Sequence, residues 1–289
     1  MTTSTGSSIA NQQSATRTPA AQARKETSKK AATAAGKVLY EQPLNERIRT
    51  FLRLEYLFKQ ASYHLKGDSE WDSRATLQCI LEILEIFDHT NLKSEVFKEL
   101  DRHSTALKRH VHNPDIDHSQ LTTLLEDIQQ KMDAMHLIDG QVASDLKNSE
   151  FLISIRQRSA IPGGTCDFDL PAYHYWLQQS SKNRSRDLAL WLNHFNQIGQ
   201  AIQLIMTLTR NSTPMKPMLA TAGLYQRTFD PNLPFQLVRI ALPKELPCFA
   251  ELSGGRHRFT ARFMEFPGPN DRATQSDQDI EFELACCVI

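Results

Sequence analysis

The sequence predicts an α+β protein in which an N-terminal helical bundle domain is followed by a C-terminal antiparallel β domain. Between Leu44 and Arg210 the apolar residues recur every three or four positions, which is the period of amphipathic helices. After Thr213 and Pro214 the period falls to two, as in half-buried strands, and prolines separate short segments. We therefore expect a helical domain over 38–213 and a β-strand domain over 214–289, against which helices of the first half can pack.

Residues 1–37 differ from the rest of the chain in charge and hydrophobicity. They contain six basic residues against Glu26 alone, a net charge of +5, so the remainder of this neutral chain carries −5. Ile9 is their only large branched aliphatic residue. Such a segment buries too little to offset its chain entropy, so its composition predicts a disordered basic tail. The tail is either a solvated extension or an arm attracted to an acidic partner, a membrane or nucleic acid.

Composition restricts the class of protein. Apolar residues make up 40% of the chain and charged residues 23%, as in soluble globular proteins. No run of about 18 apolar residues and no secretory signal is present, so we expect a cytoplasmic protein without a membrane span. The five cysteines include no Cys-x-x-Cys pair, which argues against disulfides and structural zinc.

In the first half, apolar stripes predict a succession of helices. The stripes begin at Leu44, Leu77, Leu92, Leu121 and Phe151, and later ones cover Ala172–Gln178 and a single long helix over Leu188–Leu208. Asp117 and Gln120 are spaced as a capping arrangement before the fourth stripe.

A junction between two helices spans residues 156–176. Proline and glycines at 162–164 end one helix, and Asp169 two residues before Pro171 predicts a carboxylate cap for the next. Arg156 and Arg158 are thereby expected close to His174 and Trp176, a candidate peptide-binding corner.

In the second half, Val238, Ile240 and Leu242 alternate with more polar positions, and a Ser-Gly-Gly turn at 253–255 leads into another strand. One face of that strand carries His257, Phe259, Ala261 and Phe263, and the other carries Arg256, Arg258 and Arg262. Three guanidinium groups on one face suit carboxylate binding, because each forms two parallel hydrogen bonds. The alternative is that Glu281 and Glu283 of the last strand pair with them across the sheet.

The last residues allow two interpretations. Cys286 to Ile289 match the outline of a prenylation box. Yet Ile280, Phe282 and Leu284 alternate with glutamates, which favours a packed final strand.

The first helix presents a second pair of arginines. Arg49 and Arg53 are one turn apart and project from the same side. Either Glu46 and Glu55 neutralise them, or an acidic ligand does. Three aromatic residues are candidates for the wall of such a ligand groove, with core packing as the alternative for each: Phe51, Tyr173 and Trp176.

Metal binding and catalysis are not predicted. A loop carries several candidate ligands without the helical His-x-x-x-His pairing of zinc sites: His110, His112, Asp115, Asp117 and His118. Cys166 and His174 are eight residues apart, but no nucleophile elbow, phosphate loop or dinucleotide fingerprint is present. We therefore expect no enzyme, cofactor or metal site, and a thiol enzyme centred on Cys166 remains the third hypothesis.

Four segments in order resemble the ZapD family. They are Val38–Glu55, Arg156–Trp176, Arg258–Met264 with its Arg-Phe-x-x-Arg-Phe-Met pattern, and Phe282–Cys287. The resemblance implies a dimeric, non-enzymatic bacterial cell division factor that cross-links filaments of the tubulin-like protein FtsZ at the midcell ring. It implies a helical domain followed by a β-rich one, and it favours a binding role for Arg258 and Arg262.

Together these observations predict an FtsZ-binding homodimer whose two sites bundle filaments. The expected ligand is the short carboxy-terminal tail of FtsZ, a mixed acidic and apolar peptide. The candidate contact residues are Arg49, Arg53, Arg156, Arg158, His174, Arg256, Arg258 and Arg262. The alternative is a nucleic-acid-binding protein that uses the basic tail and the arginine stripe; the acidic remainder of the chain counts against nucleic acid as a partner.

Overall fold

The structure, a computed structural model, describes residues 36–114, 117–137 and 142–289. The predicted basic tail lies outside these residues except for Gly36 and Lys37. After one short strand, the described chain forms a series of helices and then the remaining antiparallel strands, which confirms the predicted α+β class. Among the described residues, every helix is too short or too polar to span a bilayer.

The helices begin where polar side chains cap free backbone N–H groups. Asn45 and Ser69 cap the first two, and Asp117 accepts hydrogen bonds from the backbone of Ser119 and Gln120 as expected from its spacing. The helices are α1 Glu46–His64, α2 Glu70–His89, α3 Leu92–Lys108, α4 His118–His136, α5 Ser144–Lys147, α6 Glu150–Ser159, α7 Pro171–Leu177, α8 Ser181–Asn193 and α9 Asn196–Asn211.

Two helix boundaries differ from the prediction. The single helix expected over Leu188–Leu208 is interrupted between α8 and α9, because residues of low helix propensity surround Phe195, whose ring is buried 5.2 Å from that of Phe87. Asp169 does not cap α7, whose N-cap residue is Leu170. The Asp169 carboxylate instead accepts a hydrogen bond from the Cys166 thiol, and the Arg158 guanidinium lies 3.4 Å from it.

The strands form two antiparallel sheets. Sheet 1 has the order β1-β4-β8-β2, and sheet 2 has the order β3-β6-β5 with β7 paired to β6. The strands are β1 Lys37–Pro43, β2 Lys216–Ala220, β3 Leu224–Thr228, β4 Phe235–Pro243, β5 Cys248–Gly254, β6 Arg258–Glu265, β7 Thr274–Gln275 and β8 Ile280–Val288.

Strand β1 was not predicted from the sequence. It pairs with β4 from Lys37 opposite Pro243 to Pro43 opposite Leu237, so the segment expected to be helical from residue 38 begins with a strand of the sheet. The Lys37 ammonium lies 2.7 Å from the Glu283 carboxylate of β8. An isolated seven-residue segment carries too little periodicity to reveal that its partner lies some 200 residues away.

Sheet 1 lies between the two apolar cores. Leu237, Ala285 and Cys287 belong to the core of the helices. The opposite side of the same strands packs against sheet 2 through residues that include Ile240, Phe282, Phe259 and Phe263. Strand β4 is therefore buried on both faces, which corrects the expectation of a half-buried strand.

The last strand is packed, as the alternation of its side chains indicates. Cys286 and Cys287 are both buried, one in each core. Burial raises the pKa of the Cys287 thiol to about 11. A thiol this enclosed is a poor prenylation substrate, so the structure favours the packed strand over the prenylation box.

An ion network joins the helices to sheet 1. The Arg210 guanidinium on α9 donates to Glu55 of α1 at 2.7 Å and to Glu41 of β1 at 2.9 Å. Arg239 of β4 donates to Glu41 at 3.0 Å and to the Arg210 carbonyl. This network holds α1 in a defined position on the sheet.

Candidate functional site

A groove of about 690 Å³ runs between α1 and α2. Leu52 and Tyr56 of α1 and Ile86 of α2 supply apolar surface, and Arg49 and Arg53 lie on the α1 side. The two arginines are one helical turn apart, so both guanidinium groups reach the same groove. An apolar channel with cations along one side suits a peptide that alternates acidic and apolar residues.

The two arginines differ in how far the protein already neutralises them. Arg49 lies 3.1 Å from Glu46, whose side chain is 84% exposed, so this surface pair stabilises weakly. Arg53 is exposed and makes no ion pair with any residue in the described ranges. The sequence suggested Glu55 as a residue that could neutralise Arg53, but the Glu55 carboxylate is bound to Arg210. Arg53 therefore remains available to an acidic ligand.

The opposite wall of the groove is partly acidic. Glu82 and Glu85 of α2 line it, together with His89 at the end of that helix. The Glu82 carboxylate accepts a hydrogen bond from Gln78, which occupies part of its hydrogen-bonding capacity. A ligand must therefore place its acidic residues toward α1.

A second cluster of arginines lies at the end of sheet 2. Arg256, Arg258 and Arg227 line a polar depression of about 550 Å³ around the β5–β6 turn. Arg258 and Arg262 are exposed on the outer face of β6, as predicted, whereas Arg256 precedes the strand and belongs to the turn. Within the described chain, Arg256, Arg258 and Arg262 form no ion pair.

The proposed internal partners of this stripe are elsewhere. Glu281 and Glu283 belong to β8 in sheet 1, whereas Arg258 and Arg262 belong to sheet 2. Glu283 is bound by Lys37. The two glutamates therefore do not neutralise the stripe across a shared sheet.

One contact near the start of α1 links the surroundings of the groove with those of the arginine cluster. A Cβ atom added to Gly254, at the end of β5, would lie 3.2 Å from the Leu44 side chain. Pro43, which precedes Leu44, lines the groove. Two of the predicted sites are thus connected through residues 43 and 44, although they are about 200 residues apart in sequence.

The basic residues of the junction already have carboxylate partners. Arg156 lies 2.9 Å from Asp88, Arg158 lies 3.4 Å from Asp169, and the His174 ring lies 3.0 Å from Asp167. Burial pushes the pKa of Asp88 upward, but the hydrogen bonds and charges of Lys147 and Arg156 outweigh it and lower that pKa. A ligand at this corner has to compete with these aspartates.

The aromatic candidates for the groove wall pack elsewhere. Phe51 and Tyr173 are buried in the helical core, and Trp176 donates its indole N–H to Asp187 at 3.1 Å. Tyr56 of α1 is 66% exposed and lines the groove instead. Ile86, His89 and Arg227 were missed because only tertiary contacts bring them to these sites, and no local pattern marks them.

The thiol and metal hypotheses gain no support from the geometry. The Cys166 thiol lies 3.3 Å from the Asp169 carboxylate, and a neighbouring carboxylate does not activate a thiol. Asp117 is used as the cap of α4, and Asp115 lies outside the described residues. In the described ranges no three histidine, cysteine or carboxylate side chains are grouped to hold a metal ion.

Comparison with known proteins identifies similar chains. The sequence model of a family described as ZapD, cell division protein, matches residues 52–262. The cell division protein ZapD of Methylococcus capsulatus is 40% identical over 252 residues, which cover 87% of this chain and 98% of that relative. The protein of the same name from Nitrosomonas europaea is 35% identical over 86% of this chain and 95% of its own length. That of an Azoarcus species is 35% identical over 87% of this chain and all of the relative.

Proposed function

Because this chain belongs to the ZapD family of cell division proteins, we propose that it binds the carboxy-terminal tail of FtsZ. The observation that carries the proposal is the apolar groove between α1 and α2 with the unpaired Arg53 on its side. The FtsZ tail is a mixed acidic and apolar peptide, so its carboxylates fit the arginines and its apolar residues fit Leu52, Tyr56 and Ile86.

The arginine cluster on sheet 2 extends this binding surface. Arg256 and Arg258 line the depression whose Gly254 lies against Leu44, and in this proposal they supply charge to the acidic residues that flank the bound tail. The junction residues Arg156, Arg158 and His174 contribute less, because each must first release an aspartate.

The protein acts as a non-enzymatic cross-linker in this proposal. A homodimer presents two such surfaces, and filaments present many tails at high local concentration, so weak single sites give strong avidity. Bundling of filaments at the midcell ring follows from this bivalency.

Co-sedimentation with FtsZ filaments tests the proposal. The protein should pellet with full-length filaments and remain in solution with filaments that lack the tail. Arg53→Glu should reduce pelleting at least tenfold, since it replaces attraction by repulsion at the acidic ligand. Arg109→Glu is the matched control, because Arg109 is an exposed arginine at the end of α3, outside the groove. Equal pelleting of both variants, or pelleting without the tail, would refute the proposal.

Nucleic acid binding remains the second candidate, since three arginines line one polar depression. Single-stranded binders stack bases on exposed aromatic rings, but Phe259 in this depression is buried. Retention of the protein by FtsZ filaments in the presence of excess DNA separates the two functions.

A further inference from the structure

A second groove lies on the other side of α1, where α1 meets α8 and α9. Its volume is about 670 Å³. Phe58 and Leu65 from the α1 side and Leu192 from α8 form a half-buried apolar floor. The two grooves share no lining residue, although α1 contributes residues to both. The second groove is therefore a separate surface.

Gly199 keeps the floor of this groove open. It lies inside α9, where glycine destabilises a helix relative to alanine. A Cβ atom at this position would lie 3.4 Å from the Phe58 ring. The absence of a side chain leaves the ring uncovered and accessible from the groove.

The two lysines and one glutamate that line the groove give it a net positive charge. Lys59 is 72% exposed and lies 3.4 Å from the Glu55 carboxylate, whereas Lys66 is exposed without an ion-pair partner in the described part of the chain. Among the described residues that line the groove, Glu55 is the one carboxylate, and its side chain is largely buried. Burial pushes the pKa of Glu55 upward, but the hydrogen bonds and charges of Arg210 and Lys59 outweigh it and lower that pKa, so its negative charge is already paired. The remaining polar lining is mostly neutral amide.

We propose that this groove binds an acidic amphipathic helix of a partner protein. The α1 wall from Glu55 to Tyr63 extends about 12 Å, which accommodates apolar anchors at positions i, i+3, i+4 and i+7 of a helix. Acidic residues beside those anchors meet Lys59 and Lys66. The basic segment 1–35 does not fit, since its lysines and arginines would face lysines and it has almost no apolar anchors.

The experiment uses the full chain and a synthetic helical peptide of about 15 residues, with leucines at the four anchor positions and glutamates beside them. Binding is measured by fluorescence anisotropy. We expect saturable binding that weakens about tenfold in Lys59→Gln/Lys66→Gln and also weakens in Gln203→Glu, which adds a carboxylate to the α9 wall without changing its shape. The control Lys108→Gln/Lys216→Gln removes the same charge from exposed lysines outside the groove and should bind as the parent does.

Three results would overturn the inference. Equally tight binding of a peptide with lysines in place of the glutamates would mean that the contact is only apolar. A change in oligomeric state of Lys59→Gln/Lys66→Gln by light scattering would assign the groove to a second copy of the chain. Loss of FtsZ co-sedimentation in that variant, with the fold intact, would make the groove part of the FtsZ site rather than a separate one.

Discussion

Arg210 is the residue on which the position of α1 depends most. It is bound to Glu41 and Glu55, and all three side chains retain 13–19% exposure. Arg210→Met should lower the free energy of unfolding by about 2 to 3 kcal/mol, somewhat less than for a fully buried pair, because two carboxylates lose their main cation. Denaturant unfolding measures the loss. Lys37→Met, which breaks the exposed pair with Glu283, is the control and should cost under about 1 kcal/mol.

His103 makes the fold sensitive to acid. It is buried on α3, with its ring 3.4 Å from the Thr209 hydroxyl, and burial followed by the charge of Arg102 lowers its pKa from 6.5 to about 4. The unfolded chain therefore takes up a proton below about pH 6.5 while the folded chain does not, so stability falls as the pH drops from 6.5 to 4. The full effect of this one group is about 3 kcal/mol.

His103→Gln should reduce that loss, because glutamine does not titrate and can still reach the Thr209 hydroxyl. Urea unfolding of both proteins between pH 7 and about pH 4 provides the comparison. Glu99, one turn away, has a pKa that burial raises, and its contribution has the opposite sign, since it favours the fold as the pH falls. Parallel stability curves for the parent and the variant would contradict the assignment to His103.

At the scale of elements, the two faces of strand β6 differ: one packs in the core, and the other is the face proposed to bind FtsZ. Phe259 and Phe263 are buried, whereas Arg258 and Arg262 are exposed. Arg258→Glu/Arg262→Glu should weaken FtsZ binding and move the melting temperature by under about 3 °C, because exposed substitutions change stability little. Calorimetry together with co-sedimentation checks both parts. A large drop in melting temperature would mean that the arginines are structural.

The elements differ in how well the sequence predicts them. Helices α1 to α4 have long periodic stripes, because one side of each faces a core and the other faces water. Strand β8 alternates in its first half, where the buried Ile280, Phe282 and Leu284 are separated by two glutamates. The break at Phe195 was missed because a buried aromatic residue looks the same in a continuous helix. Strand β1 was missed because its extended conformation depends on pairing with β4, which its own seven residues do not reveal.

The candidate site was predicted as separate residues and not as a surface. The one-turn spacing of Arg49 and Arg53 fixes their common side from sequence alone. Their neighbours Ile86 and His89 come from α2, and the adjacency of Gly254 to Leu44 depends on packing between distant segments. Similarly, the aspartates that lie beside Arg156, Arg158 and His174 become visible only in three dimensions.

For the whole molecule, salt dependence should distinguish the charged and apolar parts of FtsZ binding. The Debye length falls from about 10 Å at 0.1 M to about 3 Å at 1 M salt, so affinity for the tail peptide should fall steeply over that range. The apolar floor of the α1–α2 groove should leave weak residual binding at high salt. Arg53→Gln should show a shallower salt dependence than the parent in a titration series. Affinity that does not vary with salt would make the arginines bystanders.

The order of strands in sheet 1 constrains when the chain can fold during its synthesis. Strands β1 and β8 enclose β4 between residues from opposite ends of the described chain, and Ala285 and Cys287 of β8 complete the core of the helices. While β8 is still inside the ribosome, the nascent chain lacks the residues that β8 contributes to both cores. Its helices therefore keep apolar surface exposed until β8 emerges. Chains truncated before residue 280 should therefore be bound by chaperones or degraded by proteases before they can bind a filament.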